Sequence, residues 1–340
     1  MNTVRLGRTG LSVSASGFGA IPIQRLSFAD AERLLKKAYD SGITFFDTAR
    51  SYSDSEEKIG RALSGVRKNI VIATKSPLVD AAALRTNIET SLRNLRTGCI
   101  DILQLHNPPD VPGTDHEAYR VLLDAKAKGQ IRFIGFTNHQ LKTAREALLS
   151  GLYDTIQFPF NHLSTDDELA LIGECANHDV GVIVMKALSG GLITDARRAF
   201  AFLRQYKNAV PIWGIEKDRE LDEFVALEKD PPVLDAAIQK AIDDDRRELS
   251  GSFCRACGYC MPCPQDIQIS MAARMSLLLN RMPYQQFMSD TWRERMERIA
   301  GCTECGSCKE KCPYGLDTPE LLKKNLIYYR DFYQEHRRTV

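Results

Sequence analysis

Gly42-Ile43-Thr44-Phe45-Phe46-Asp47 reads as a short buried strand: a glycine ends the helix before it, apolar and β-branched residues follow, and a carboxylate stands at its C-terminal end. The pattern recurs along the chain. Apolar stretches at 70–73, 100–105, 133–136 and 182–184 lead to Lys75, His106, Thr137-Asn138 and Lys186, and Ile156-Gln157-Phe158 is a further strand. Between them, helical periodicity is read at 56–63, 81–95, 116–128, 141–150 and 166–177. A strand and a helix every roughly 25 to 35 residues predict a parallel sheet with right-handed crossovers. Polar residues at strand ends belong to the C-terminal rim of a TIM (β/α)8 barrel, whereas a doubly wound sheet would need a glycine fingerprint after its first strand, which this sequence lacks.

Upstream of Gly42, Ala31, Leu34, Leu35 and Ala38 mark one face of a helix over 28–41, and a glycine-interrupted strand covers 16–20. Before that, segments 3–6 and 11–13 flank Gly7-Arg8-Thr9-Gly10, a hairpin expected to plug one end of the barrel. Downstream, Lys229-Asp230-Pro231-Pro232 interrupts the rhythm, and 233–249 reads as a helix. The expected organisation is a barrel over 1–229, a linking helix over 230–250 and a small, mainly α-helical domain over 251–340.

That last segment holds eight of the ten cysteines: Cys254, Cys257, Cys260 and Cys263 before Pro264, and Cys302, Cys305, Cys308 and Cys312 before Pro313. A C-x2-C-x2-C turn presents three thiolates to one iron–sulfur cube, and two such runs imply two 4Fe-4S clusters. Zinc sites draw ligand pairs from separate turns, often with histidine, and a disulfide framework suits a small secreted domain, so neither competes well. The segment 271–299 between the runs looks helical, with Met275, Leu278, Leu279 and Met282 at helical spacing, and 319–336 is a further helix carrying Leu321, Leu322, Leu326 and Tyr329. Cys99 and Cys175 fall in the barrel, Cys175 on an apolar helix phase as a core residue.

The hydrophobic content is 44%, and 45 basic residues nearly cancel 44 acidic ones to leave +1. No strong field marks a nucleic-acid or anionic-membrane binder, and no apolar run reaches membrane-spanning length. Reduced, cluster-bound thiols and the lack of a leader-like N-terminus make the cytoplasm the expected location.

Three stretches carry a specific resemblance. Residues 42–52, ending in Asp47-Thr48-Ala49-Arg50-Ser51-Tyr52, together with Ile72-Ala73-Thr74-Lys75 and Asp101-Ile102-Leu103-Gln104-Leu105-His106-Asn107, resemble the signature stretches of the aldo-keto reductases. The C-terminal cysteine runs resemble a bacterial two-cluster ferredoxin. The first resemblance implies that Tyr52 donates a proton to a substrate carbonyl, that Lys75 paired with Asp47 draws the phenol toward working pH, and that His106 orients the carbonyl. It also implies a nicotinamide site. Asn138 and Gln157 would bond the carboxamide, Met185 would stand where the family often stacks an aromatic, and the turn Ser189-Gly190-Gly191 would cover the pyrophosphate. Gly214, Glu216 and Lys217 would meet the adenosine end, where Glu216 repels a 2′-phosphate and tilts the expectation from NADPH toward NADH. The ferredoxin resemblance implies a crossed ligand set, with Cys254, Cys257, Cys260 and Cys312 on one cluster and Cys302, Cys305, Cys308 and Cys263 on the other.

The expectation that follows is an iron–sulfur oxidoreductase acting on a small carbonyl or hydroxyl substrate, with NAD(P)H as hydride donor and a ferredoxin or other redox protein as partner. Two alternatives stand beside it: a reductase fed single electrons through its clusters without nicotinamide, and an electron carrier on an inactive barrel.

Overall fold

The structure, a computed structural model, describes residues 1–249, 253–281, 284–312 and 314–337. The chain forms two compact units, residues 1–187 with 197–235, and residues 188–196 with 236–340.

The first unit begins with an antiparallel pair, β1 (Thr3–Arg5) and β2 (Ser12–Ser14). Eight parallel strands then close into a barrel: β3 (Gly17–Gly19), β4 (Phe45–Asp47), β5 (Val71–Pro77), β6 (Ile100–His106), β7 (Ile131–Thr137), β8 (Thr155–Pro159), β9 (Gly181–Met185) and β10 (Ala209–Gly214). Pairing of β10 with β3 closes the ring. Each strand is followed by one helix, in order α1 (Phe28–Asp40), α2 (Ser55–Leu63), α3 (Ala81–Asn94), α4 (Glu117–Ala127), α5 (Leu141–Leu149), α6 (Asp166–Asn177), α7 (Ala196–Leu203) and α8 (Asp218–Lys229). The expected (β/α)8 barrel is therefore the fold. Its eighth strand was not legible from the rhythm because Pro211, a residue rare in strand interiors, sits within it opposite Val184.

Local chemistry sets the helix starts. The Ser27 hydroxyl accepts from the Asp30 amide at α1, Asp80 does the same for Ala83 at α3, and Thr165 with Glu168 forms a reciprocal cap at α6. The lower barrel interior is apolar: Phe45, Val71, Ala73, Ile102, Ile183, Val210 and Ile212 pack with Leu6, Leu11 and Val13 of the hairpin. The hairpin thus contributes directly to the barrel core. Its turn passes so close to β9 that a Cβ on Gly7, at φ +51°, would lie 2.2 Å from the Gly181 nitrogen.

The second unit contains α9 (Ala236–Glu248), α10 (Ile269–Ala272), α11 (Met275–Arg281), α12 (Asp290–Glu297), α13 (Ser307–Glu310) and α14 (Thr318–His336). The helix read over 233–249 is α9, and it clusters with this unit rather than standing apart as a link. The stretch 271–299 is several pieces, with a 3-10 turn at Tyr284–Phe287 and a fresh start at α12, where the Ser289 hydroxyl accepts from the Trp292 amide. Met282 lies outside the described residues. Helix α14 buries Leu322, Leu326 and Tyr329 as expected, and the Tyr329 hydroxyl donates to the Phe287 carbonyl at 2.8 Å.

Candidate active site and cluster-ligand sets

Strand register brings the barrel's polar residues to one level. Asp47 lies opposite Ala73, so Lys75, two residues on and on the same face, reaches back to it. The Lys75 ammonium donates to Asp47 Oδ1 at 2.5 Å and to the Thr48 carbonyl at 2.7 Å, with both side chains buried. Lys75 also lies opposite Gln104 on β6. Gln104 donates through Nε2 to Asp47 Oδ2 at 3.2 Å and to Gln157 Oε1 at 2.8 Å. This buried amide ladder fixes the carboxylate that holds the lysine. Gln104 was quoted in the sequence motif but not singled out, although its alternation with His106 along the strand was the available signal.

Tyr52 stands on the loop between β4 and α2. The Arg50 amide donates to the Lys75 carbonyl at 2.8 Å, and the Arg50 side chain bonds Glu56. The buried Glu56 carboxylate also accepts from the Thr74 and Ser91 hydroxyls, each at 2.7 Å. The loop is pinned on both sides of Tyr52. The Lys75 ammonium lies 5.2 Å from the centre of the half-buried Tyr52 ring, and the His106 ring meets that ring edge-on at 5.8 Å. His106 Nδ1 is 3.3 Å from the Ser51 hydroxyl. Tyr52, Lys75, Asp47 and His106 are therefore brought together.

Burial dominates the electrostatics. It raises the Asp47 carboxyl, against the downward pull of Lys75. It also raises the Tyr52 phenol above its ordinary 10.0, with Lys75 pulling down and Asp47 pushing up. The expected net draw of Lys75 toward working pH is thus outweighed, and the phenol holds its proton at neutral pH. His106 is pushed down to about 3 by burial and then by Lys75, so its imidazole is neutral.

The expected nicotinamide contacts divide. Asn138 is fully enclosed, its Nδ2 donating to the Pro108 carbonyl and its Oδ1 accepting from the Gln140 amide, each at 2.8 Å. Gln157 is enclosed as well, bonded to Gln104. Both amides are thus bonded within the protein. Met185, Gly191 and Glu216 are half-buried, Gly190, Gly214 and Lys217 are exposed, and Ser189 is buried. Glu216 is held in a two-pronged ion pair, with Arg25 Nε at 3.0 Å and Nη2 at 2.7 Å, and no sequence signal pointed to Arg25 as its partner.

In the second unit, one hollow of about 350 Å³ is lined by Cys254, Cys257, Cys260 and Cys312. Another of about 410 Å³ is lined by Cys260, Cys263, Cys302, Cys305 and Cys308, so that Cys260 lines both. Left-handed residues between the cysteines, Ala256 and Gly258 in the first run and Glu304 and Gly306 in the second, let each run curl around its hollow. The Ala256 amide points at Cys254 Sγ from 3.4 Å. None of the ten cysteines is in a disulfide. Among the described residues no three His, Cys, Asp or Glu side chains converge on a single-ion site. The Cys260 thiol is pushed up to about 12 by burial and then by its neighbours Cys254 and Cys257, a repulsion that a cationic iron core reverses. Cys305 is exposed, whereas Cys254 and Cys308 are buried. Cys175 is a core residue, its thiol likewise raised to about 12 by burial.

A closed parallel barrel with a phenol, an ammonium, a carboxylate and an imidazole gathered at its strand ends, in a chain that also carries thiolate-lined hollows, defines an oxidoreductase. The aldo/keto reductase family model matches residues 15–235, and the chain belongs to that family. A 4Fe-4S dicluster domain model matches residues 253–317. Similar proteins include L-galactose dehydrogenase from Arabidopsis thaliana, 31% identical over 212 residues, covering 56% of this chain and 66% of that one. Aldo-keto reductase YhdN from Bacillus subtilis is 28% identical over 214 residues, covering 57% and 64%. The chain thus spans just under two thirds of the length of these relatives. Among solved structures, a Pseudomonas aeruginosa protein assigned to the aldo-keto reductases is 30% identical with a TM-score of 0.60, covering 66% of this chain and 94% of that one. A Klebsiella pneumoniae aldo-keto reductase in complex with NADPH shares the fold at 24% identity, TM-score 0.63, covering 72% and 94%.

Proposed function

We propose that this protein reduces a small carbonyl compound, or oxidises the corresponding alcohol, with Tyr52 as proton donor and NAD(P)H as hydride source. The observation that carries this reading is the position of Lys75, which is 2.5 Å from Asp47 and 5.2 Å from the centre of the Tyr52 ring. Bound nicotinamide supplies the hydride and bound 4Fe-4S clusters supply single electrons. Everything else falls to the chain's own groups. Tyr52 stays protonated at neutral pH and gives that proton to the carbonyl oxygen as negative charge builds there. The Lys75 ammonium stabilises the phenolate left behind, and Asp47 with Gln104 keeps that ammonium in place. His106, being neutral, adds no charge and orients the carbonyl by hydrogen bonding.

On this reading the nicotinamide cofactor would be held chiefly by backbone, as at Gly214. Because Arg25 neutralises Glu216, that residue discriminates weakly between NADH and NADPH. In the second unit, Cys254, Cys257, Cys260 and Cys312 would hold one cluster, and Cys263, Cys302, Cys305 and Cys308 the other. The exposed Cys305 makes the second cluster the natural contact for a redox protein.

The enclosure of Asn138 and Gln157 favours a second reading, in which electrons reach the substrate through the clusters alone. One experiment separates the two. Anaerobic protein is assayed for NADH or NADPH oxidation with an added aldehyde. Tyr52→Phe should lower kcat by roughly 10²- to 10⁴-fold while Cys305→Ala spares it. If instead nicotinamide is inert, dithionite supports turnover and both substitutions are equally damaging, the cluster-fed reading replaces the first.

A further inference from the structure

Arg274 follows α10 and is buried to within 7% of its surface. A guanidinium taken out of water is costly unless an anion meets it, and among the described residues no carboxylate does. Its Nη1 donates to the Gly190 carbonyl at 3.1 Å and its Nη2 faces the Met271 sulfur at 3.5 Å, while the enclosed Nε has no partner. Gly190 is at φ +65°, and a Cβ there would lie 2.9 Å from Nη1. Glycine suits this left-handed backbone, and a side chain there would push the guanidinium aside.

On its other side, Arg274 lines a cleft next to the Cys254 hollow, without lining the hollow itself. Cys254 Sγ lies 3.9 Å from the Ser270 carbonyl on α10, Arg274 shares a cleft with Phe253, and Leu321 walls both that cleft and the hollow. A 4Fe-4S cube with four thiolates carries net negative charge, and reduction adds one more electron.

We propose that Arg274 is a positioning residue that balances the charge of the cluster held by Cys254, Cys257, Cys260 and Cys312 and, through the Gly190 carbonyl, couples that cluster's oxidation state to the Ser189–Gly191 turn. Reduction strengthens the cluster's hold on the guanidinium at the expense of Gly190, so the turn loosens. By reciprocity, whatever fixes the turn lowers that cluster's potential. The inference rests on the cluster assignment above and does not require nicotinamide.

The test uses the anaerobic holoprotein. A redox titration followed by electron paramagnetic resonance should show two clusters. Arg274→Gln should move one midpoint potential to a lower value and leave the other in place, with Arg274→Lys retaining most of the wild-type value. In the wild type, backbone amides over 188–193 should exchange hydrogen severalfold faster after dithionite reduction, and Arg274→Gln should erase that difference. Unmoved potentials, or exchange indifferent to oxidation state in the wild type, would overturn the role of Arg274. Absence of both resonance signals would instead remove the cluster assignment itself.

Discussion

The side chains around Tyr52 translate into pH behaviour. His106 is neutral down to about pH 3, so reduction should show no inflection near 6.5 from this residue. Loss of the Tyr52 proton should appear only above its ordinary value of 10, and Lys75→Met should move that limb higher still, because the ammonium pulls it down. A kcat/KM profile in the reductive direction checks both. His139 carries the matching prediction for stability. It is buried, and burial, then Lys186, then His106 hold its imidazole down to about 3 from 6.5. The unfolded chain takes up that proton first as pH falls, so the native state loses ground from about pH 6.5 toward 3, by up to about 1.4 kcal/mol per pH unit. Urea melts at pH 7 and 5 should show a shallower loss in His139→Gln. The four catalytic candidates were legible because each stands at or just after a strand end beside a distinctive motif. For Asn138 and Gln157 the motif recorded which residue stands at a position, not that its amide is bonded within the protein.

At the scale of elements, the N-terminal hairpin is part of the barrel's interior. Leu6 is fully buried among strand residues, and Leu6→Ala should cost roughly 2–5 kcal/mol in a reversible denaturant melt without disturbing the geometry around Tyr52. The hairpin was readable from two apolar segments around a glycine turn, and the helices from their 3.6-residue periodicity. Strand β10 was hidden by Pro211, and the breaks between α10, α11 and α12 were hidden by apolar spacing that continues across them. Periodicity reports which face is buried; it is less informative about where the backbone stops and restarts.

For the molecule as a whole, one chain is expected to carry two kinds of redox chemistry. Anaerobically purified protein should hold about eight iron atoms, and Cys305→Ala or Cys254→Ala should each reduce this to about four, measured by iron and sulfide analysis. A zinc content near two with no labile sulfide would refute the assignment. The balance of 45 basic against 44 acidic residues gives no long-range attraction, so any redox partner must recognise local surface, such as that around Cys305. The contrast between the exposed Cys305 and the buried Cys254 has a further consequence for handling. On the proposed ligand assignment, oxygen and chelators would reach the cube at Cys305 first, so a sample worked up in air should pass through a half-loaded form that keeps only the cube at Cys254, and activity measured on such a sample would describe that form and not the intact protein.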